Sequence, residues 1–258
     1  FSGPALALPE LPHARDREIL ARILASSPHV GSAEGWRARF GRELNATDDR
    51  SHFTRDEDGL PVVEGKHLHP FRVDVGAAAT RIPRAAAARL LDRKRTFGRR
   101  RVAYREVASS TNRLTLIAAI IPMDVVTTHT LFCVKEALDQ DSQRYLCAVL
   151  NSFVANYFIR MRVSTHVSAG IIDRLRAPLP ERHSRRFREI VDLSAALEEA
   201  GLSAGNEGTF EDRARLQALV AMEYGVTPAQ LQHILSTLPL LPQRDRDAAL
   251  SSFYDIVP

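Results

Sequence analysis

Hydrophobic spacing along the chain changes character twice. Ile19, Leu20, Ile23 and Leu24 recur at helical intervals, which predicts a short amphipathic helix over residues 15–25. From there to about residue 134 the apolar runs are short and the pattern is strand-like. Trp36 to Phe40, Pro61 to Glu64 and Val102 to Val107 predict strands, with a polar loop at 45–58 between the first two. One helix, after Pro83 in the Ala-rich stretch 77–91, interrupts them. Leu114 to Ile121 is apolar throughout, as expected of a central strand closed by Pro122, and Val125 to Val134 predicts a third strand of the same sheet.

The period then lengthens. Leu146, Val149, Leu150, Phe153, Val154, Tyr157, Phe158 and Met161 mark one long helix over 141–163. A polar loop at 164–170, a helical turn at 171–175 and two prolines close this region. The remainder reads helical at 183–200, 211–224, 228–236 and 244–254, with Thr227 as an N-cap before Pro228. The expected class is α+β: a mixed or antiparallel sheet with packed helices, then a helical C-terminal extension. Three stretches follow: an N-terminal helical lead-in at 1–29, a body at 30–182, and the helical extension at 183–258.

Charge sharpens the picture. The net charge of the 258 residues is only +4, yet residues 81–113 alone carry a formal +9, leaving −5 elsewhere. A local field of that size attracts polyanions and is screened by salt; a solvated helix face is the plain alternative. Within the run, Arg99, Arg100, Arg101 and Arg105 precede Ser109, Ser110, Thr111, Asn112 and Arg113, and the apolar run follows at once. Cations and small hydroxyl or amide groups are those that contact phosphates and base edges. Cys133 and Cys147 sit in apolar surroundings with no metal-type spacing, as reduced core residues of a cytoplasmic protein would. No apolar run is long enough for a membrane span. A chain beginning at Phe1, without Met, is expected to be part of a longer protein.

Local catalytic signatures are missing. The chain has no glycine-rich phosphate loop, no GxSxG elbow, no HExxH helix and no Asn-Pro-Pro-aromatic turn. Glu64-Gly65-Lys66 at a strand end, with Asp56 or Asp58 nearby, allows a Mg²⁺-dependent nuclease reading, although Asp58 stands too close in sequence to sit easily on an adjacent strand. His67 and His69 share a strand face, where two histidines more often serve as hydrogen-bonding residues than as metal ligands. No metal is expected. Lys66, His67, His69 and Arg72 are instead candidate polar and cationic contacts to a phosphate backbone. His129, Thr165 and His166 are further candidates; exposed strand positions and routine capping are the competing explanations.

Several segments, in order, resemble one family. Arg39 to Glu43, Thr47 to Phe53 and Leu60 to Phe71 look like the progression RFGRE…NATDDSHLF…LPLYEGKMIHQF. Tyr104 to Thr115 is similar to YRDVARSTNERT, and Ile117 to Pro122 gives the IAAIIP that follows it. Residues 150–180 and 218–235 resemble the closing helices. The pattern is that of the C-terminal target-recognition regions of type IIG restriction–modification enzymes and related phage-defence adenine methyltransferases of the BREX and DISARM kinds. Val63, Pro70, Ser164 and Ala169 depart from it. The resemblance implies sequence-specific recognition of double-stranded DNA for adenine-N6 methylation. Catalysis and S-adenosyl-methionine would then belong to an N-terminal methyltransferase domain outside this chain, with no cofactor and no catalytic residue here. A protein-interaction module of a defence complex is the remaining alternative.

Overall fold

The computed structural model describes residues 13–91, 96–108, 112–163, 165–200 and 207–256. The chain is an α+β protein. Its main sheet has four antiparallel strands in the order β1 (Phe40–Gly41), β9 (Leu131–Val134), β6 (Arg101–Arg105) and β7 (Ala118–Ile121). A smaller sheet places β2 (Leu60–Val63) between antiparallel β5 (Arg81–Ile82) and parallel β8 (Val126–Thr127). A two-stranded ribbon pairs β3 (Leu68–His69) with β4 (Arg72–Val73).

Alternation along the main strands assigns the layers. Phe40, Val102, Tyr104, Ala118, Ile120, Phe132 and Val134 point into the largest apolar cluster. Ala103, Ala119, Ile121, Leu131 and Cys133 point the other way, onto Val63, Leu68 and Val125. On the first face Tyr104 stacks on Phe132 at 5.5 Å between ring centroids and meets Phe40 edge-on at 5.2 Å. The helices covering that face are α1 (Ala14–Ser26), α3 (Gln140–Leu150), α4 (Phe153–Arg160), α5 (Ala169–Asp173), α6 (Arg185–Glu199), α7 (Glu207–Glu223), α8 (Pro228–Ser236) and α9 (Gln243–Ile256). Their apolar faces join the same cluster, from Ile19 through Leu146 and Phe158 to Phe253. The smaller sheet closes over α2 (Arg84–Leu90) with Leu60, Val62, Ile82, Ala86 and Phe97. Among the described residues no helix is long and apolar enough to cross a membrane.

Several helix boundaries follow the expected chemistry. Thr227 caps α8 through the Gln230 amide, with Gln230 reaching back to the Thr227 N–H and Pro228 in the first turn. The segment expected as one helix over 141–163 is two. Ser152 caps a new helix by accepting from the Ala155 N–H, and Asn151 occupies the joint. Val125 to Val134 also divides, because the Leu131 N–H bonds back to the Thr128 carbonyl. Its two halves consequently serve different sheets. Of residues 36–40 only Phe40 enters a strand.

The apolar run at 114–121 departs most from expectation. Only Ala118–Ile121 is strand, and it lies at a sheet edge rather than in the centre. Two buried asparagines take the place of a neighbouring strand. Asn156 accepts from the Leu116 N–H at 2.8 Å and donates to the Leu116 carbonyl at 3.2 Å. Asn151 does the same for Ala118, at 3.0 and 2.8 Å. An amide side chain carries one acceptor and one donor group in fixed relation, so it can reproduce a strand's pairing with one residue. This satisfies the Leu116 N–H and carbonyl and the Ala118 N–H inside the core, while the Ala118 carbonyl also accepts from the Phe71 N–H at 2.9 Å. Asn156→Leu should therefore destabilise the protein by about 1–3 kcal/mol in urea unfolding, despite its added apolar surface. Equal or greater stability would show that the amide pairing contributes nothing.

Candidate nucleic-acid interface

The ends of β2 and β6 meet at an open cleft of about 670 Å³. Glu64, Gly65 and Lys66 line it from one segment, Arg105, Val107, Asn112 and Arg113 from a second, and Thr130 from a third. Two of the segments that resemble the family, Leu60 to Phe71 and Tyr104 to Thr115, are thus brought into one site.

Each wall is fixed locally. The Gly65 N–H donates to Thr130 Oγ1 at 2.9 Å, tying the Glu64–Lys66 turn to the segment between β8 and β9. A Cβ at Gly65 would stand 3.1 Å from Cγ of Arg105, so glycine lets the arginine stem lie against the backbone. Arg105 is half-buried, and its Nε has no hydrogen-bond partner among the described residues. Burial lowers its pKa, yet a guanidinium remains charged. Among the described residues it is a positioned cation with no ion-pair partner. Lys66 is exposed and pairs with Glu64 at 2.8 Å. Arg113 is exposed with Asp245 at 3.5 Å, and the Asn112 carbonyl accepts from Arg160 at 3.0 Å. Val107, 52% exposed, puts an apolar surface among these polar groups. Ser109, Ser110 and Thr111 lie outside the described residues.

The other sequence candidates separate into groups. Thr165 and His166 are exposed and lie beside the cleft: the Thr165 carbonyl accepts from the Ala108 N–H, and His166 bridges Val107. His69 and Arg72 face each other across the β3–β4 ribbon, where Arg72 Nη2 is buried without a partner among the described residues. His129 accepts the Ala46 N–H on Nδ1 at 3.2 Å, so a neutral ring carries its proton on Nε2. His67 departs from the expected phosphate contact. It is buried, its Nδ1 accepts the Glu64 N–H at 3.0 Å, and burial reinforced by Lys66 lowers its pKa. It shapes the turn from inside.

The arginine run upstream also departs from expectation. Arg101 is wholly buried and pairs with both oxygens of Glu43, at 2.7 Å from Nε and 2.7 Å from Nη2. It donates as well to the Val125 carbonyl at 2.8 Å, and cannot reach a phosphate. Glu43 accepts further from Thr96 and from the Thr127 N–H and hydroxyl. Arg100 pairs with Glu198 of α6, and Arg99 donates to the Lys135 carbonyl. None of the three lines the cleft. Glu43 closes the RFGRE-like segment in the sequence, but nothing local to it marks it as the partner of an arginine 58 residues away.

Among the described residues no three His, Cys, Asp or Glu side chains gather as a metal-holding group, and Glu64 is engaged with Lys66. Cys133 and Cys147 are buried and unpaired; burial pushes the Cys133 thiol up to about 12, which leaves it unreactive.

No family model and no curated protein matches the chain. Among solved structures it is similar to the Type IIL restriction-modification enzyme MmeI in complex with DNA. The match has 13% identity and a TM-score of 0.51, over 78% of this chain and 35% of that one. The chain shares that fold. It spans about a third of the enzyme's length, so the likeness concerns one region of a larger protein.

The division into committed and uncommitted cations can be tested by stability. Glu43→Ala strands the buried Arg101 charge and should lower unfolding free energy by about 3–5 kcal/mol. Arg100→Ala removes a partly exposed pair and should cost under about 1 kcal/mol. Comparable losses for the two variants in chemical denaturation would overturn the distinction.

Proposed function

We propose that this chain recognises a specific sequence of double-stranded DNA, as the target-recognition region of a restriction–modification or phage-defence adenine-N6 methyltransferase. The observation that carries this reading is the cleft. It joins Lys66, Arg105, Asn112 and Arg113, which come from two segments 38 residues apart between Lys66 and Tyr104, both resembling such regions. The fold likeness to an enzyme solved with DNA supports the same reading. Methyl transfer, with S-adenosyl-methionine, is assigned to a methyltransferase domain of the parent protein, because this chain has neither a glycine-rich loop nor an Asn-Pro-Pro-aromatic turn.

Roles divide by chemistry. Lys66 offers an exposed, mobile ammonium to phosphate, after exchanging its contact with Glu64. Arg105 presents a fixed guanidinium whose stem is held by Gly65, suited to one defined acceptor. Arg113 and Asn112 have the two groups that pair bidentately with guanine and adenine edges in a major groove. Exposed Val107 fits an apolar contact such as a thymine methyl.

Binding of the full chain to a randomised duplex pool, followed by selection and sequencing, tests this. The wild type should enrich one motif. Arg113→Ala should relax one position of that motif, corresponding to about 1–3 kcal/mol of lost discrimination. Lys66→Ala should weaken all duplexes alike and reduce the salt slope by about one. No enriched motif, or identical effects of the two variants, counts against sequence readout. Mg²⁺-dependent cleavage lost in Glu64→Ala would instead establish a nuclease.

A further inference from the structure

The cleft does not end at its own rim. On one side Glu64 also lines a second cleft of about 430 Å³, which contains Arg50, Phe53, Arg55 and Thr128. Thr128 and Thr130, one from each cleft, share a hydroxyl hydrogen bond of 2.9 Å across the boundary. Arg113 and Leu114 in turn also line a third, more apolar pocket, where α7 contributes Arg213 and α9 contributes Asp245. Shared lining residues thus connect Arg50/Arg55 to Lys66/Arg105, and these to Arg113/Arg213.

The three outer arginines differ from the paired run at 99–101. Arg50, Arg55 and Arg213 are exposed, and their side chains make no hydrogen bond or ion pair among the described residues. Their backbones are nevertheless anchored. Thr54 and Arg81 exchange both N–H···O bonds at 2.8 Å, which fixes the 50–55 segment to β5, and Arg213 stands on a helix. The same loop is rich in carboxylates, which would repel a polyanion. However, Asp49 is turned to the Asn45 N–H, Asp48 to the Asn45 amide and Asp56 to the Asp58 N–H, and none of these three lines the cleft; the carboxylates that do line the track, Glu64 and Asp245, are paired with Lys66 and Arg113. Anchored cations without partners, set in adjoining clefts, match a ligand with repeated negative charge.

We infer that the three clefts form one track for a duplex DNA backbone, with Arg50 and Arg55 holding phosphates at one end and Arg213 of the helical extension at the other. This rests on the proposed DNA recognition and adds that the interface reaches the loop at 50–55 and the C-terminal helices. Phosphate contacts position a duplex without reading it, so these residues add affinity uniformly over sequences.

The test measures binding of the full chain to a fluorescent duplex by anisotropy, from low to moderate salt. It compares wild type, R50A/R55A, R213A and Arg105→Ala. Because the three outer side chains hold no partner among the described residues, their variants should melt like wild type. R50A/R55A should reduce the magnitude of the salt slope by about two and R213A by about one, with motif preference unchanged. If wild type binds, Arg105→Ala weakens binding and the outer variants match wild type in affinity and slope, the extended track is wrong and the central cleft stands alone. If wild type itself fails to bind any duplex at low salt, the proposed recognition function falls, and this inference with it.

Discussion

The buried pair between Glu43 and Arg101 is the constraint on which the interface depends. Glu43 follows β1, Arg101 opens β6, and Thr127, which donates to the same carboxylate, belongs to β8 of the smaller sheet. One carboxylate thus ties the two sheets together. Removing two charges from water is costly, and the cost is recovered only when every remaining donor and acceptor is engaged. Here both oxygens accept at least two hydrogen bonds, and the guanidinium also donates to the Val125 carbonyl. Such a pair is a weak source of net stability but a stringent condition on geometry, because few other arrangements satisfy all its partners. Four residues along β6 from this pair, Arg105 emerges at the cleft. Its position is set at the far end of its own strand.

Much of the architecture is legible in the sequence because it depends on local period. The α1 pattern, the strands at 60–63 and 101–105 and the four C-terminal helices are properties of spacing, and the structure has them, whereas only Phe40 of residues 36–40 is strand and 125–134 divides between two sheets. What was illegible depended on side chains acting as backbone. The apolar run 114–121 carries the composition of a central strand, and nothing local reveals that Asn151 and Asn156 would occupy the place of its neighbour. These two asparagines also sit at the joint and in the first turn of α4, within an apolar pattern that reads as continuous helix. One long-range solution therefore explains two local departures: the helix breaks, and the strand is shortened.

The candidate site was legible in a different measure. The EGK and YREVASSTNR segments were singled out by residue type and resemblance, and they do converge. The cationic density beside them misled. Arg99, Arg100 and Arg101 made up much of the described charge run, yet each is directed to a carbonyl or carboxylate of the protein itself. Formal charge counts ions but not their partners. Glu43 and Glu198 lie 58 and 98 residues from the arginines they neutralise, so no window of sequence could contain both. The cations left available, such as Arg50, Arg55 and Arg213, are scattered along the chain and would not register as a cluster.

This sorting has a consequence for how the surface can discriminate. A cation already held by a protein carboxylate gains little on meeting a phosphate, because one counter-charge replaces another. Lys66 is in that position with Glu64, although both are solvent-exposed enough for the exchange to be inexpensive. Arg105 is in the opposite position. Its stem is confined by Gly65, its Nε is out of water, and no acceptor within the described protein meets that nitrogen. Rigid Arg105 is thereby suited to selecting geometry, and exposed Lys66 to adding attraction. The cleft places the two functions side by side on one turn and one strand end.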